Sequence, residues 1–309
     1  MWDMPASPET TNPRTGLRET WNDFYDVPLV HQKSLGMLRF NGQATAVHTA
    51  PIGGGLTLDF YAHLKRSDEL IVTFPGAARP GKNIYPLFAR VATFRAMKSP
   101  AFMAFADPTI PMDPDGELLL AWFLGGPGFD PLDSVLKAVR KAQGKTGAEH
   151  VVFVGGSGGG FPALRLSALV PGSMAYLHEG TTSIARALPV QSERYFSKAW
   201  PGWDPVELIS AFPERFDMVR HYRRRPLENF VYFAQSEDDS RFRESHYDPF
   251  KDAMGVKGDA GVSKSGSRHF ALYKGEVKGH GKVTPKEFRH HFGNAMRSWR
   301  EWRSEQVYS

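Results

Sequence analysis

The chain has 309 residues, 41% of them hydrophobic, and 38 Lys and Arg against 33 Asp and Glu give a net charge of +5. The absence of cysteine excludes disulfides, thiolate catalysis and cysteine-based metal centres. With no run of 18 apolar residues and no charged-then-apolar start, neither a membrane span nor a signal peptide is expected, and a cytoplasmic location fits.

Residues 1–24, with Pro5, Pro8, Pro13 and many Thr and Asn, read as a flexible N-terminal arm, and residues 25–309 as the folded domain. Met37–Phe40, Ala44–His48 and the alternating Leu56–His63 suggest an antiparallel entry hairpin at a sheet edge. Glu69–Phe74 is a continuous apolar strand that ends in Pro75-Gly76-Ala77-Ala78, and such strands belong to a helix-covered parallel sheet. Ile84–Met97 reads as helix and Ala101–Ala106 as the next strand. Asp130 is placed to cap a helix with Pro131 in its first turn, one face carrying Leu132, Val135, Leu136 and Val139, and Gly144 at its end.

Val151–Val154 is a buried strand followed by Gly155-Gly156-Ser157-Gly158-Gly159 and a helical run, Phe161–Val170. Strand, sharp turn and helix with a serine at the apex form a nucleophile elbow, G-x-S-x-G. The same stretch competes with a dinucleotide fingerprint: Gly158–Ala163 fits G-x-G-x-x-A, and Glu179 follows the strand-like Ser173–Leu177 where a ribose-binding acid would stand. Residues 180–226 interrupt the alternation of strand and helix. Their aromatic cluster reads as a small cap, with Trp200 and Trp203 as candidate linings of a substrate pocket. Asn229–Ala234 is another strand and leads to Asp238-Asp239. His269–Tyr273 is the last, followed by Gly279-His280-Gly281 and a helix that opens on the capping box Thr284-Pro285-Lys286-Glu287.

A serine, an acid after a later strand and a histidine before the last helix therefore occur in the order a triad needs: Ser157, then Asp238 or Asp239, then His280. Distance from the preceding strand, counted to Gln235, favours Asp238. The backbone N–H of Gly158, with one from Gly76 or Ala77, is the expected oxyanion hole. His246 and His178 are the next candidates for the base; His290 and His291 fall in the last helix. There is no H-E-x-x-H and no tight His-carboxylate cluster, so neither a metal nor another cofactor is expected. The dispersed basic residues, Arg223-Arg224-Arg225 apart, argue against a nucleic-acid partner. The dinucleotide reading accounts for neither Gly76-Ala77 nor His280.

On these motifs residues 35–303 resemble the α/β-hydrolase superfamily, which implies a mostly parallel central sheet flanked by helices and a serine hydrolase or acyltransferase acting on an ester. More narrowly, Val154–Leu166 together with Ala234–Asp239 and His246–Phe250 is similar to bacterial hydrolase-like proteins encoded beside surface-glycan and glycosyltransferase genes. Some of these, in accessory secretion systems, are implicated in acetyl transfer to or from sugars. In that pattern the acid stands seven residues before His246, which favours Asp239, and the resemblance implies a glycan ester as substrate. Leu177–Thr182 departs from the Asn-Pro-Gln type of that pattern. A catalytically inactive binding module on the same fold and a dinucleotide-binding oxidoreductase are the alternatives.

Overall fold

A computed structural model describes residues 9–40, 44–79, 85–281 and 283–307. Among these residues one sheet contains β1 (Thr10–Thr11), β2 (Arg18–Asn22), β3 (Val27–His31), β4 (Thr45–Gly53), β5 (Leu56–Leu64), β6 (Glu69–Phe74), β7 (Ala101–Phe105), β8 (His150–Gly156), β9 (Met174–His178), β10 (Phe230–Ser236), β11 (Gly261–Val262) and β12 (Arg268–Tyr273). Their spatial order is β1-β2-β3-β4-β5-β7-β6-β8-β9-β10-β12-β11. From β7 through β12 every neighbouring pair is parallel. Antiparallel pairs flank this centre on both sides, β4–β5 and β5–β7 on one and β11–β12 on the other. The sheet is mixed: apart from β3–β4, its parallel pairs all lie among the central strands β7 to β12, which carry the site.

The apolar runs explain the centre, because a strand covered on both faces has no polar side to show. Val151 and Phe153 of β8 point to one face, with Leu70 and Val72 of β6. Val152 and Val154 point to the other, with Tyr176 and Tyr232. The first face is covered by helix α2 (Pro131–Thr146), which buries Leu132, Val135, Leu136 and Val139, and by α3 (Gly160–Ser167). Each such side chain removed from water contributes about 1.5–3 kcal/mol. The second face is covered by Val91 and Phe94 of α1 (Val91–Ala96) and by Phe288, Phe292, Met296 and Trp299 of the C-terminal helix, Pro285–Val307. No helix among the described residues is long and apolar enough to cross a membrane.

Several boundaries differ from the expectation. Within the segment read as a loose arm, Thr10–Thr11 and Arg18–Asn22 are strands, and β2 pairs along its length with β3; residues 1–8 lie outside the described residues. β2 is flanked on its outer side only by the two-residue β1 and has no buried residue, so a polar sequence such as Arg18-Glu19-Thr20-Trp21-Asn22 suffices. The β4–β5 hairpin is antiparallel as expected but lies inside that edge, and Leu35–Met37 is a single 3₁₀ turn rather than strand. Helix α1 is confined to Val91–Ala96, because Arg90 takes φ +63 just before it; Ile84 is outside the described residues. Helix α2 runs past Gly144 to Thr146, and Gly147, at φ +78, ends it with its N–H on the Gln143 carbonyl at 2.8 Å.

The excursion after β9 forms four short helices: α4 (Pro189–Ala199), α5 (Pro205–Ala211), α6 (Pro213–Phe216) and α7 (Met218–Arg224). After β10 come α8 (Ser240–Phe242), a π-helical turn over Arg243–Tyr247 and α9 (Asp248–Ala253). The C-terminal helix is α10.

Candidate active site

Ser157 stands where β8 stops and the chain turns sharply into α3, with its backbone at φ +52. That left-handed conformation is strained for any residue with a side chain. It is held by the crowding around it: a Cβ on Gly155 would collide with the Gly159 carbonyl, and one on Gly159 with the Phe74 carbonyl. Only glycine fits either position, which accounts for both ends of the G-x-S-x-G motif. The Ser157 carbonyl is tied down by the Thr181 N–H at 2.9 Å.

The loop between β12 and α10 brings His280 over the serine. Its Nε2 lies 2.7 Å from Ser157 Oγ and its Nδ1 2.7 Å from Asp239 Oδ2. The Asp239 carboxylate is buried, and its other oxygen accepts the Phe242 N–H at 3.3 Å, capping α8. One side chain thus starts a helix and orients the imidazole. Asp238 is not brought into the site: its N–H donates to Ser236 Oγ at 3.2 Å, and its Oδ2 has no partner among the described residues. The strand count favoured Asp238 because it stopped at Gln235; β10 continues to Ser236, which moves the reaching position one residue on.

The next two candidates, His246 and His178, are satisfied elsewhere. His246 is buried in the π-helical turn, with Nδ1 accepting the Thr182 N–H at 3.3 Å, and burial drives its pKa down to about 3. His178 lies between the Tyr273 hydroxyl at 2.6 Å and the Tyr176 hydroxyl at 3.2 Å, and burial holds it well below the usual imidazole range.

Two neighbours of His280 were not legible as site residues. The Phe242 ring stacks on the imidazole with centroids 3.7 Å apart, which restricts the ring's rotation. Glu179, which the fingerprint reading needed for a ribose, instead faces the loop that carries His280. Its Oε2 accepts the Gly281 N–H at 2.5 Å and stands 3.6 Å from His280 Nδ1, while Oε1 accepts the Tyr273 hydroxyl at 3.3 Å. Burial raises its pKa, and the Gly281 N–H and the His280 charge oppose that rise. The only sequence signal for Glu179 is its place directly after a buried parallel strand. Glu179, Asp239 and His280 offer donor atoms within 4.8 Å of one another, a set of the right types for a cation. His280 Nδ1 and Asp239 Oδ2 stand at hydrogen-bond distance, 2.7 Å, which leaves no room for a cation between these two atoms.

A cavity of about 310 Å³ opens in front of Ser157, lined among others by Gly76, Ala77, Tyr176 and His280. Gly158, in the first turn after the elbow, has an N–H that helical geometry leaves without an internal partner. Gly76 packs against the serine itself, since a Cβ there would stand 3.2 Å from Ser157 Cβ. The Ala78 N–H is taken by the Leu119 carbonyl at 2.8 Å, so from that segment only the Gly76 and Ala77 N–H groups remain to face an oxyanion.

The cavity does not reach Trp200 and Trp203, the expected substrate-contacting residues. Trp200 is buried, donating from Nε1 to the Tyr195 hydroxyl at 2.7 Å, and Arg215 covers its ring at 4.8 Å. Trp203 meets Trp200 edge-on and is 53% exposed. Trp200, Tyr195, Phe196 and Phe216 pack instead into a core shared with Trp122, Phe161 and Leu164 of the main body, and Trp203 stays outside it. What borders the site is α4: Val190 and Arg194 line, with Ala77 and Leu120, a cleft of about 220 Å³ that shares Ala77 with the main cavity.

No family model matches this chain, and no curated protein does. Solved structures do match. The capsule O-acetyltransferase of Neisseria meningitidis serogroup A is similar over 88% of this chain and 97% of its own, at 15% identity and a TM-score of 0.53. Esterase B from Lactobacillus rhamnosis covers 81% of this chain and 82% of its own, at 14% identity and a TM-score of 0.53. The glycosylation associate protein Gap123 complex from Streptococcus agalactiae covers 82% of this chain and 46% of its own, at 14% identity and a TM-score of 0.52. At such identities the likeness concerns the backbone, and it agrees with the elbow, the parallel centre and the flanking helices in assigning the chain an α/β-hydrolase-type fold.

Proposed function

We propose that the protein is a serine-dependent ester hydrolase or acyltransferase. The observation that carries this reading is the pair of 2.7 Å hydrogen bonds linking Ser157 to His280 and His280 to Asp239. In the first step His280 Nε2 takes the Ser157 proton as Oγ attacks the ester carbonyl. The N–H groups of Gly158 and of Gly76 or Ala77 receive the negative oxygen, each donor worth about 3 kcal/mol to the transition state. The imidazolium then protonates the departing alcohol, leaving an acyl group on Ser157. Asp239 keeps Nδ1 protonated throughout, so that Nε2 is the basic nitrogen. Water attacking the acyl-serine completes a hydrolysis; a sugar hydroxyl completes a transfer. The resemblance to a capsule O-acetyltransferase over nearly its whole length supports a glycan hydroxyl as one partner in the exchange.

The direct test is intact-mass analysis after treatment with a fluorophosphonate, followed by peptide mapping. One adduct per chain, on Ser157, is expected. A folded protein that stays unmodified, or carries the adduct elsewhere, fits a binding module and overturns the reading.

The acid limb of the pH–rate profile gives a second check. A general base must be neutral to act, so activity is present above the base's pKa and lost as pH falls through it. His246, held near 3, remains neutral across that range. His246→Asn should therefore keep its activity with the acid limb in the same place; loss of activity in the folded variant would assign the base to His246.

A further inference from the structure

The cavity in front of Ser157 has an uneven charge. Among the described residues no carboxylate lines it, while two guanidinium groups, Arg79 and Arg90, do. Most other arginines held close to the protein body are matched with acids: Arg165 and Arg215 with Asp130, Arg243 with Asp248, Arg303 with Glu69; buried Arg268 instead donates to the Leu227 and Asn229 carbonyls. Arg90 has no carboxylate partner among the described residues. Its Cζ sits 4.2 Å over the Phe288 ring, which also lines the cavity. The groups it senses are Tyr176 and Tyr273, and burial is the largest influence on it, lowering its pKa.

A partly desolvated cation with only an aromatic face beneath it is incompletely satisfied. The ring fixes the direction of the guanidinium without neutralising it. The planar fork of donors suits a carboxylate or a phosphate, which accept two parallel N–H bonds. Phe288 lies against the guanidinium on one side. Arg79, at the exposed rim, adds attraction of the same sign.

We propose that Arg90 is an anion subsite of the acyl-transfer cavity, so that the natural substrate carries a carboxylate or phosphate on the same molecule as the ester or the accepting hydroxyl. This rests on Ser157 being the nucleophile, and it narrows the substrate class from esters in general to anionic ones. The Ser157–His280 pair itself needs no charge on the substrate. The charge therefore acts on binding, and its effect belongs in KM rather than kcat.

The test compares matched esters. Mono(4-nitrophenyl) succinate against 4-nitrophenyl butyrate places the charge on the acyl side; 4-acetoxybenzoate against 4-acetoxybenzamide places it on the alcohol side. In at least one pair the anionic ester should lead in kcat/KM by about tenfold or more, the size of one hydrogen bond to a charged group. In Arg90→Gln that lead should shrink toward parity through KM. If the glutamine variant does not fold, Arg90→Lys keeps the charge and the stem over Phe288 but loses the fork, and should lose part of the lead. Equal ratios in wild type and variant overturn the proposal. A chemistry-free arm titrates succinate and inorganic phosphate into Ser157→Ala by calorimetry, which also separates carboxylate from phosphate recognition. Adding Arg90→Gln should weaken the tighter of the two by about tenfold. Absence of binding by both, together with no charge preference in the rates, overturns the subsite while leaving the nucleophile in place. Anion binding without turnover of any ester would instead overturn the nucleophile reading and keep the subsite.

Discussion

Ser157→Ala is expected to lower kcat on a short 4-nitrophenyl ester by roughly a millionfold, the loss seen when the nucleophile of a working triad is removed. The Cβ stays, so the packing against Gly76 is unchanged, and only the hydroxyl and its hydrogen bond to His280 disappear. That bond is partly exposed and contributes about 1 kcal/mol, so the fold should persist. Ser157→Gly sharpens the test. At φ +52 a side chain costs about 1–2 kcal/mol that glycine avoids. The glycine variant should therefore be as inactive as the alanine variant yet melt at least as high as wild type. Strain retained at one residue and released by an inactivating change is what a serine held for chemistry shows. Turnover within about tenfold of wild type in either folded variant would remove Ser157 from the mechanism.

The second large effect separates two adjacent acids. Asp239→Asn should lower kcat by roughly 10⁴, because an amide no longer selects the imidazole tautomer that leaves Nε2 basic. Asparagine caps a helix about as well as aspartate, so the Phe242 N–H keeps a partner and α8 its start. The loss is thus one of charge rather than of structure. Asp238→Asn should change kcat by less than about tenfold, or about 1.4 kcal/mol. Glu179 adds a twist: at 3.6 Å from the same Nδ1, its carboxylate is placed to support the imidazolium when Asp239 is gone. Should Asp239→Asn lose much less than expected, the double variant with Glu179→Gln should lose the remainder. If all three variants stay within about tenfold of wild type, no acid orients His280 and the triad fails in its second member.

How much of this could be read from the chain depends on how many meanings each pattern admits. Gly155 and Gly159 have almost one meaning, because the close approach of three backbone segments forbids a Cβ, and the elbow was therefore legible. His280 was legible for a related reason, since it stands between glycines directly before a capped helix. Asp239 was blurred by a one-residue error in the end of β10, and only a resemblance favoured it. The aromatic cluster with Trp200 and Trp203 has two meanings of nearly equal weight, a pocket wall or packed core, and the hydrogen bond from Trp200 to Tyr195 draws Trp200 into the core while Trp203 stays exposed. The polar N-terminal strands gave no apolar alternation to read. Glu179 was legible only as a candidate ribose acid, and Phe242 and Arg90 were silent, because their importance comes from what lies beside them in space, and nothing local in the sequence encodes the neighbour.

The start of α10 carries a consequence for the loop that holds His280. Glu287 closes the capping box, accepting the Thr284 N–H at 2.7 Å, and its other oxygen accepts the Glu276 N–H at 2.6 Å. A single carboxylate therefore grips the chain on both sides of the loop, where it leaves β12 and where it enters the helix. Such a clasp fixes the separation of the loop's ends whatever the segment between them does, and so removes most of its configurational freedom before any substrate arrives. Within that clasp the Gly281–Glu179 bond anchors the loop at a third point, beside the imidazole. His280 is thus held by anchors in three separate elements, the turn after β9, Asp239 after β10 and the first turn of α10. Its register with Ser157 is consequently a property of the assembled sheet and helix, absent from the isolated loop.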